Sequence, residues 1–223
     1  MAQETALIVG VGDGLSASLA RLFHAEGMAV ALASRNTDKL ADLAAETGAK
    51  VYACDAADRA SMAGLFDALD SDGMTPTLAV YNPSFRVRGG IAELDQEAVE
   101  KTLMITAYGA FLMAQHATQR MQKAGSGTIL FTGASAGVKG YAKSAPFAMG
   151  KFALRGLAQS MARELHPQNI HIGHFVIDGG IGESGDDAKL HPDAIAQSYL
   201  DFHRQHRSAW AWELELRPWV ETF

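Results

Sequence analysis

Short apolar runs alternate along this chain with longer stretches in which apolar residues recur every three or four positions. The runs at 5–10, 28–34, 49–53, 77–82, 128–132, 170–177 and 211–216 are predicted strands. The amphipathic stretches at 14–27, 36–47, 58–69, 95–123, 144–165 and 192–205 are predicted helices. Asn36 or Thr37 is placed to cap the second helix, and Asp58 the third. Regular β-then-α order predicts an α/β fold: a parallel sheet covered by helices on both faces. No linker, low-complexity tract or repeat interrupts the pattern. One domain over 1–223 is therefore expected, with a substrate loop at about 178–207 and a C-terminal strand and tail at 210–223.

Composition narrows the partners. A net charge of −6 argues against a general binder of nucleic acid or anionic membrane. No uninterrupted apolar run approaches the roughly 18 residues that span a bilayer. Cys54 is the only cysteine, so no internal disulfide can form, which suits a cytoplasmic setting. The first five residues carry no basic region followed by an apolar core, so no secretory signal is expected.

The first predicted strand runs into Gly10-Val11-Gly12-Asp13-Gly14-Leu15-Ser16. A backbone without Cβ atoms lets a pyrophosphate approach a helix N-terminus, where free N–H groups and the helix dipole favour negative charge. The same turn can also join strand to helix with no ligand. The second strand ends in Ser34-Arg35, where a site that prefers NAD usually places an acid to hold the ribose 2′-hydroxyl. A guanidinium suits a 2′-phosphate instead, through charge-assisted bonds of roughly 1.5–3 kcal/mol. NADP(H) is therefore expected over NAD(H), the alternative being that Arg35 is a solvated loop residue.

These segments, with Thr132-Gly133-Ala134-Ser135-Ala136-Gly137 and Phe147-Ala148-Met149-Gly150-Lys151, resemble the short-chain dehydrogenase/reductase family. The resemblance covers nearly the whole chain. It implies a doubly wound Rossmann fold with a seven-stranded parallel sheet, a nicotinamide cofactor and a homodimer or homotetramer formed through the fourth and fifth helices. It implies that Gly10, Gly14 and Leu15 lie at the pyrophosphate, with Ser16 where the family's last glycine stands. Ser34 and Arg35 fall at the adenosine ribose, and Asp55 resembles the family's aspartate at the adenine amine. Asn82 matches the asparagine at the end of the fourth strand. Gly179 and Ile181 fit the pattern after the sixth strand, where Asp178 replaces a proline and Glu183 a threonine. That glycine-rich segment is a candidate lid.

The catalytic signature of the family is Tyr-x-x-x-Lys. Here Lys151 is present and Phe147 occupies the tyrosine position. Ala134 stands at the serine position with Ser135 beside it, and Thr106 at the asparagine position. A phenyl ring cannot exchange a proton, and a general acid is typically worth about 10²–10⁴-fold in rate. Helical spacing puts Phe147, Lys151, Leu154, Ala158, Met161 and Leu165 on one stripe facing the sheet. An ammonium among apolar neighbours needs a partner, and ribose hydroxyls can supply one; a surface lysine snorkelling to solvent is the alternative. Ser135 is the candidate carbonyl-polarising donor. Tyr141 and Ser144 are the other hydroxyls within reach by sequence.

Among the histidines, His171 and His174 lie an odd number of strand positions apart and point to opposite faces. His203 and His206 share a helical face, but no second ligand pair accompanies them, so no metal is expected. Trp210, Trp212 and Trp219 are expected to cover an apolar surface of this chain or of a partner. The sequence thus predicts an atypical NADP(H)-dependent oxidoreductase acting on a small carbonyl, alcohol or enone. A catalytically silent NADP(H)-binding or sensing protein is the alternative, and a structural scaffold is a third.

Overall fold

The protein is described by a computed structural model, which covers residues 3–222; the outermost residues of the expected domain 1–223 and tail 210–223 lie outside the described part. Seven strands form one sheet: β1 (Thr5–Val9), β2 (Ala29–Ser34), β3 (Lys50–Ala53), β4 (Leu78–Tyr81), β5 (Gly127–Thr132), β6 (Ile170–Ile177) and β7 (Glu213–Leu216). Their order is β3-β2-β1-β4-β5-β6-β7, and every pairing is parallel. The helices are α1 (Leu15–Ala25), α2 (Ala41–Thr47), α3 (Arg59–Ser71), α4 (Gln96–Leu103), α5 (Gly109–Ala124), α6 (Ala145–Leu165) and α7 (Pro192–His203). The expected α/β fold with a seven-stranded parallel sheet is the one observed.

Strands β1, β4 and β5 are almost wholly buried because helices cover both of their faces. Alternate residues feed two separate cores. Leu7, Val9, Ala79, Tyr81, Ile129 and Phe131 pack with α3, α5 and α6. Ala6, Ile8, Leu78, Val80 and Leu130 pack with α1 and α7. The period-2 alternation of strand side chains produces this division directly. The chain reverses direction across the sheet between β1 and β4, so a crevice opens at the carboxyl ends of those two strands. Among the described residues, no helix is long and apolar enough to cross a membrane.

Several elements depart from the sequence pattern. The helix expected over 36–47 starts only at Ala41, after a 3₁₀ turn at Asp38–Leu40. The Asn36 carboxamide oxygen accepts from the Asp38 backbone N–H (3.1 Å), which favours a tight turn there instead. Asp58 does cap α3, accepting from Ser61 N at 2.6 Å. The long helix expected over 95–123 is interrupted by a π-helical segment, Met104–Tyr108. Within that segment the Ile105 carbonyl accepts from the buried Tyr81 hydroxyl on β4. Gly109 follows directly, and no larger residue fits beside the Tyr81 hydroxyl.

The segment expected as a substrate loop at about 178–207 contains α7, so its irregular part is 178–191. That part is closed on itself: Gly182 N–H donates to Leu190 O, and Leu190 N–H to Gly180 O. His206 lies beyond the end of α7, in a turn bonded to Ser208, and shares no helical face with His203. His203 bonds instead to Thr128 and Glu4. His171 and His174 do take opposite faces. The first stacks between Phe202 and Trp210, and the second hydrogen-bonds Glu213 (3.0 Å). Trp210 and Trp212 cover apolar surface of this same chain, whereas Trp219 is 76% exposed.

Gly109→Ala tests the packing at the π segment. An added Cβ would stand 2.3 Å from the Tyr81 hydroxyl and 2.4 Å from the Ala56 carbonyl. Alanine ordinarily favours a helix over glycine by up to about 1 kcal/mol. Here overpacking should outweigh that preference, with a net loss of roughly 1–3 kcal/mol in urea unfolding.

Candidate active site

The crevice has two connected parts. The first, about 550 Å³, lies over the turn after β1 and is lined by Gly10, Gly12, Gly14, Leu15, Ser34, Arg35, Asp55 and Asn82. The second, about 940 Å³, is lined by Ser135, Tyr141, Ser144, Phe147, Lys151, Asp178 and Gly179. Asn82, Ser84 and Ile181 border both. The residues singled out from the sequence are thus brought together in one crevice, although they come from every part of the chain.

Gly10 adopts φ +86°, and a Cβ there would collide with the Pro83 ring at 2.6 Å. This glycine lets the turn cross closely over the end of β4. Gly12 and Gly14 are different: a Cβ on either would meet open space, so their bare backbones line a cradle. Helix α1 starts there with no side-chain cap and no acid in its first turn, which leaves its positive end open to an anion. Ser16, in place of the family's last glycine, has a definite structural task. Its hydroxyl donates to Gly10 O (3.1 Å) and accepts from Asn82 Nδ2 (2.7 Å), tying the turn to the end of β4.

Ser34 is buried at the end of β2, and Arg35 is exposed beside it. Lys39, from the 3₁₀ turn that follows, lines the same part of the crevice as Arg35. Sequence reading missed Lys39, which reaches the cavity only through the 3₁₀ turn Asp38–Leu40. One oxygen of Asp55 accepts from Ala57 N (3.0 Å), so this side chain shapes its own turn at the cavity wall.

The α6 stripe takes the orientation that its spacing predicts. Lys151, Leu154, Ala158, Met161 and Leu165 are buried, and Phe147 is half-buried at the crevice end. Lys151 does not snorkel. It is 3% exposed, and its Nζ donates to the Thr132 carbonyl at 2.7 Å. Burial lowers its pKa from 10.5 to about 8. One carbonyl satisfies one of three ammonium protons, so two donors remain for a ligand. The Nζ also lies 5.7 Å from the centre of the Phe147 ring.

Three hydroxyl side chains line the same part of the crevice as this lysine. Ser135 lines the crevice from the 3₁₀ turn after β5. Ser144 is buried at the start of α6, and its Oγ has no hydrogen-bond partner among the described residues. Tyr141 is 43% exposed at the rim. Thr106, at the family's asparagine position, is buried in the π segment, packs on Gly150, and its hydroxyl accepts from Phe85 N (3.5 Å) in the loop after β4. Asp178 forms an ion pair with Arg217 (3.2 Å) and approaches Lys139 (4.0 Å). Sequence reading also missed Arg86 and Arg88, which line the second part of the crevice. The Arg86 guanidinium carbon lies 4.8 Å from the centre of the Phe147 ring.

The residues present fit a dinucleotide. The open backbone cradle at Gly12 and Gly14, the uncapped start of α1 and the partly satisfied ammonium of Lys151 offer donors where a dinucleotide carries oxygen.

The pH behaviour of Lys151 gives a test. Below about pH 8 the lysine is charged in both folded and unfolded chains, and its burial costs stability in full. Between about pH 8 and 10.5 the unfolded chain binds the extra proton, so this cost is relieved as pH rises. Buried Cys54, with its pKa raised to about 11, acts oppositely in part of that range. The useful quantity is therefore the unfolding free energy of wild type minus that of Lys151→Met. It should be negative at pH 7 and should climb by a few kcal/mol toward pH 10 in the unliganded protein.

Comparison with known proteins agrees with this geometry. The family model described as short chain dehydrogenase matches residues 4–182. D-threitol dehydrogenase of Mycolicibacterium smegmatis is 25% identical over 198 residues, 81% of this chain and 76% of that one. (+)-Borneol dehydrogenase 1 of Salvia officinalis is 30% identical over 196 residues, 84% and 75% of the two chains. The chain spans 65% of the reductase MabA of Mycobacterium tuberculosis, at 27% identity over 167 residues. The crystal structure of a short-chain dehydrogenase from Rhodopseudomonas palustris superposes with a TM-score of 0.87 at 33% identity, covering 97% of this chain and 99% of that one. The glycine turn, the buried lysine and these likenesses lead to one conclusion: the chain belongs to the short-chain dehydrogenase family.

Proposed function

We propose that the protein is an NADP(H)-dependent oxidoreductase that transfers hydride between the nicotinamide and a small carbonyl, alcohol or enone, without an acid at position 147. One observation carries this reading: the glycine cradle and buried Lys151 occupy two parts of a single crevice that meet at Asn82 and Ile181. Gly12, Gly14 and the start of α1 would hold the pyrophosphate, and Lys151 the nicotinamide ribose. Arg35 and Lys39 support NADP(H) over NAD(H), because two cations and no acid line the cavity at the end of β2 apart from Asp55 across it. When bound, the cofactor supplies or accepts the hydride.

The chain's own residues orient the substrate. Ser135 offers an O–H to the substrate oxygen, and Lys151 fixes the ribose and adds positive charge. Phe147 supplies no proton, so water reaching the open crevice closes the alcohol. Carbonyl reduction should consequently be slow, and an enone, whose reduction can need less help from an acid near oxygen, is a suitable alternative substrate. The lone buried Cys54 supports a cytoplasmic site of action. Phe111 (40% exposed), Met149 (50%) and Phe152 (45%) lie on α5 and α6 and support pairing of two copies through these helices. Met113 and Arg155 of the same helices are instead engaged within the chain, the latter in an ion pair with Glu213 (2.6 Å).

Fluorescence titration should show NADPH binding at least about tenfold more tightly than NADH, with Arg35→Ala removing most of that preference. Tighter NADH binding would refute the assignment. Phe147→Tyr should raise the rate of NADPH oxidation with carbonyl substrates by roughly 10²-fold or more. NADPH binding with no turnover of aldehydes, ketones or enones by wild type would favour the silent sensor. Tyr141→Phe should leave the wild-type rate within about twofold; its loss would make Tyr141 the acid.

A further inference from the structure

Position 147 holds a phenyl ring, and the groups that crowd it are cations. Lys151 approaches the ring from within the fold, and Arg86 lies over it from the loop after β4. Arg88 and Lys143 line the same part of the crevice. The chain as a whole is acidic, with a net charge of −6, so this concentration of positive charge is local. Among the described residues, two carboxylates line that part, Asp178 and Glu221, and Asp178 is committed to Arg217. Neither Arg86 nor Arg88 makes an ion pair or side-chain hydrogen bond with the described residues. Both are exposed, and both border the substrate end of the crevice, away from the glycine cradle that would receive the pyrophosphate.

We propose that this end of the crevice is a carboxylate site: Arg86, reinforced by Arg88, holds the acid group of a short oxo acid while its carbonyl lies against Lys151 and Ser135. The proposal rests on the oxidoreductase reading above and names its substrate class. The guanidinium carbon lies over the Phe147 ring at 4.8 Å, a cation–π contact that uses none of its N–H donors, so these are available for a two-bond clasp on a carboxylate. A phenyl ring serves this purpose without a hydroxyl that would compete for the acid group. Arg86 and Lys151 lie 4.8 and 5.7 Å from the centre of one ring and line the same part of the crevice, which suits a short molecule held by both. Glu221 on the same wall disfavours a dianion such as a phosphate ester relative to a carboxylate monoanion. The carboxylate takes no part in the bond changes: the carbonyl carbon gains the nicotinamide hydride, its π pair moves to oxygen, and water supplies the proton.

Calorimetric titration of the full chain, free and saturated with NADP⁺, tests the site by binding alone. The probes are pyruvate and levulinate, their methyl esters and dihydroxyacetone phosphate. At least one acid should bind the loaded protein about tenfold or more tightly than its ester. Arg86→Gln should abolish that preference, Arg86→Lys should keep part of it, and neither should change NADP⁺ affinity by more than about twofold. The proposal is overturned if no acid binds, if an ester binds as well as its acid, if Arg86→Gln keeps the preference, or if the phosphate ester binds best. An acid preference in a chain that fails to bind NADP⁺ would leave this carboxylate site standing and overturn the oxidoreductase reading instead.

Discussion

A buried ammonium governs the architecture of this crevice. Lys151 lies on the inner stripe of α6, and its Nζ bonds the last carbonyl of β5 at 2.7 Å. Removing an ammonium from water is costly, and a single carbonyl only partly offsets that cost. Burial shows itself in the lowered pKa of about 8. Such a group is suited to a ligand that completes its shell, and this is the role proposed above for the ribose of a dinucleotide. Around it the sheet provides rigidity: β5 and β6 are buried along nearly their whole length, and Gly133 and Gly137 bring the backbone close to His174 and to α6.

A second polar layer lies behind the lysine. Burial lowers the pKa of His174 to about 4, so the ring is neutral at physiological pH and donates from Nδ1 to Glu213. Glu213 in turn takes two bonds from Arg155, at 2.6 and 2.8 Å. Arg155 sits one helical turn after Lys151. The edge strand β7 is thereby fastened to α6 as well as to β6, and the wall of the crevice is held on both sides.

Much of the fold was legible because strand and helix periods are local. The seven strands and the inner stripe of α6 follow from spacing alone. The interruption of the long helix did not, because the π segment is met by Tyr81, a residue on another element whose hydroxyl donates to the Ile105 carbonyl. Likewise Ser16 reads as a lost glycine in sequence, yet in space it ties Gly10 to Asn82. The glycine turn and Asn82 were visible because each stands at the end of a recognisable strand, and Lys151 because it falls on the inner stripe of α6. Lys39, Arg86 and Arg88 were hidden because loop cations acquire meaning only from what they face. For Arg86 that is Phe147, and the two meet only after the sheet has brought β4 beside β5.

The most direct measurement is NMR titration of the Lys151 side chain in protein carrying isotopically labelled lysine, with Lys151→Met to assign the resonance. The account predicts a pKa near 8 in the free protein and an upward shift when NADPH is added, as the nucleotide's oxygens and negative charge favour the ammonium. An ordinary lysine value in the free protein, or a Lys151 resonance indifferent to NADPH at saturating concentration, would contradict it.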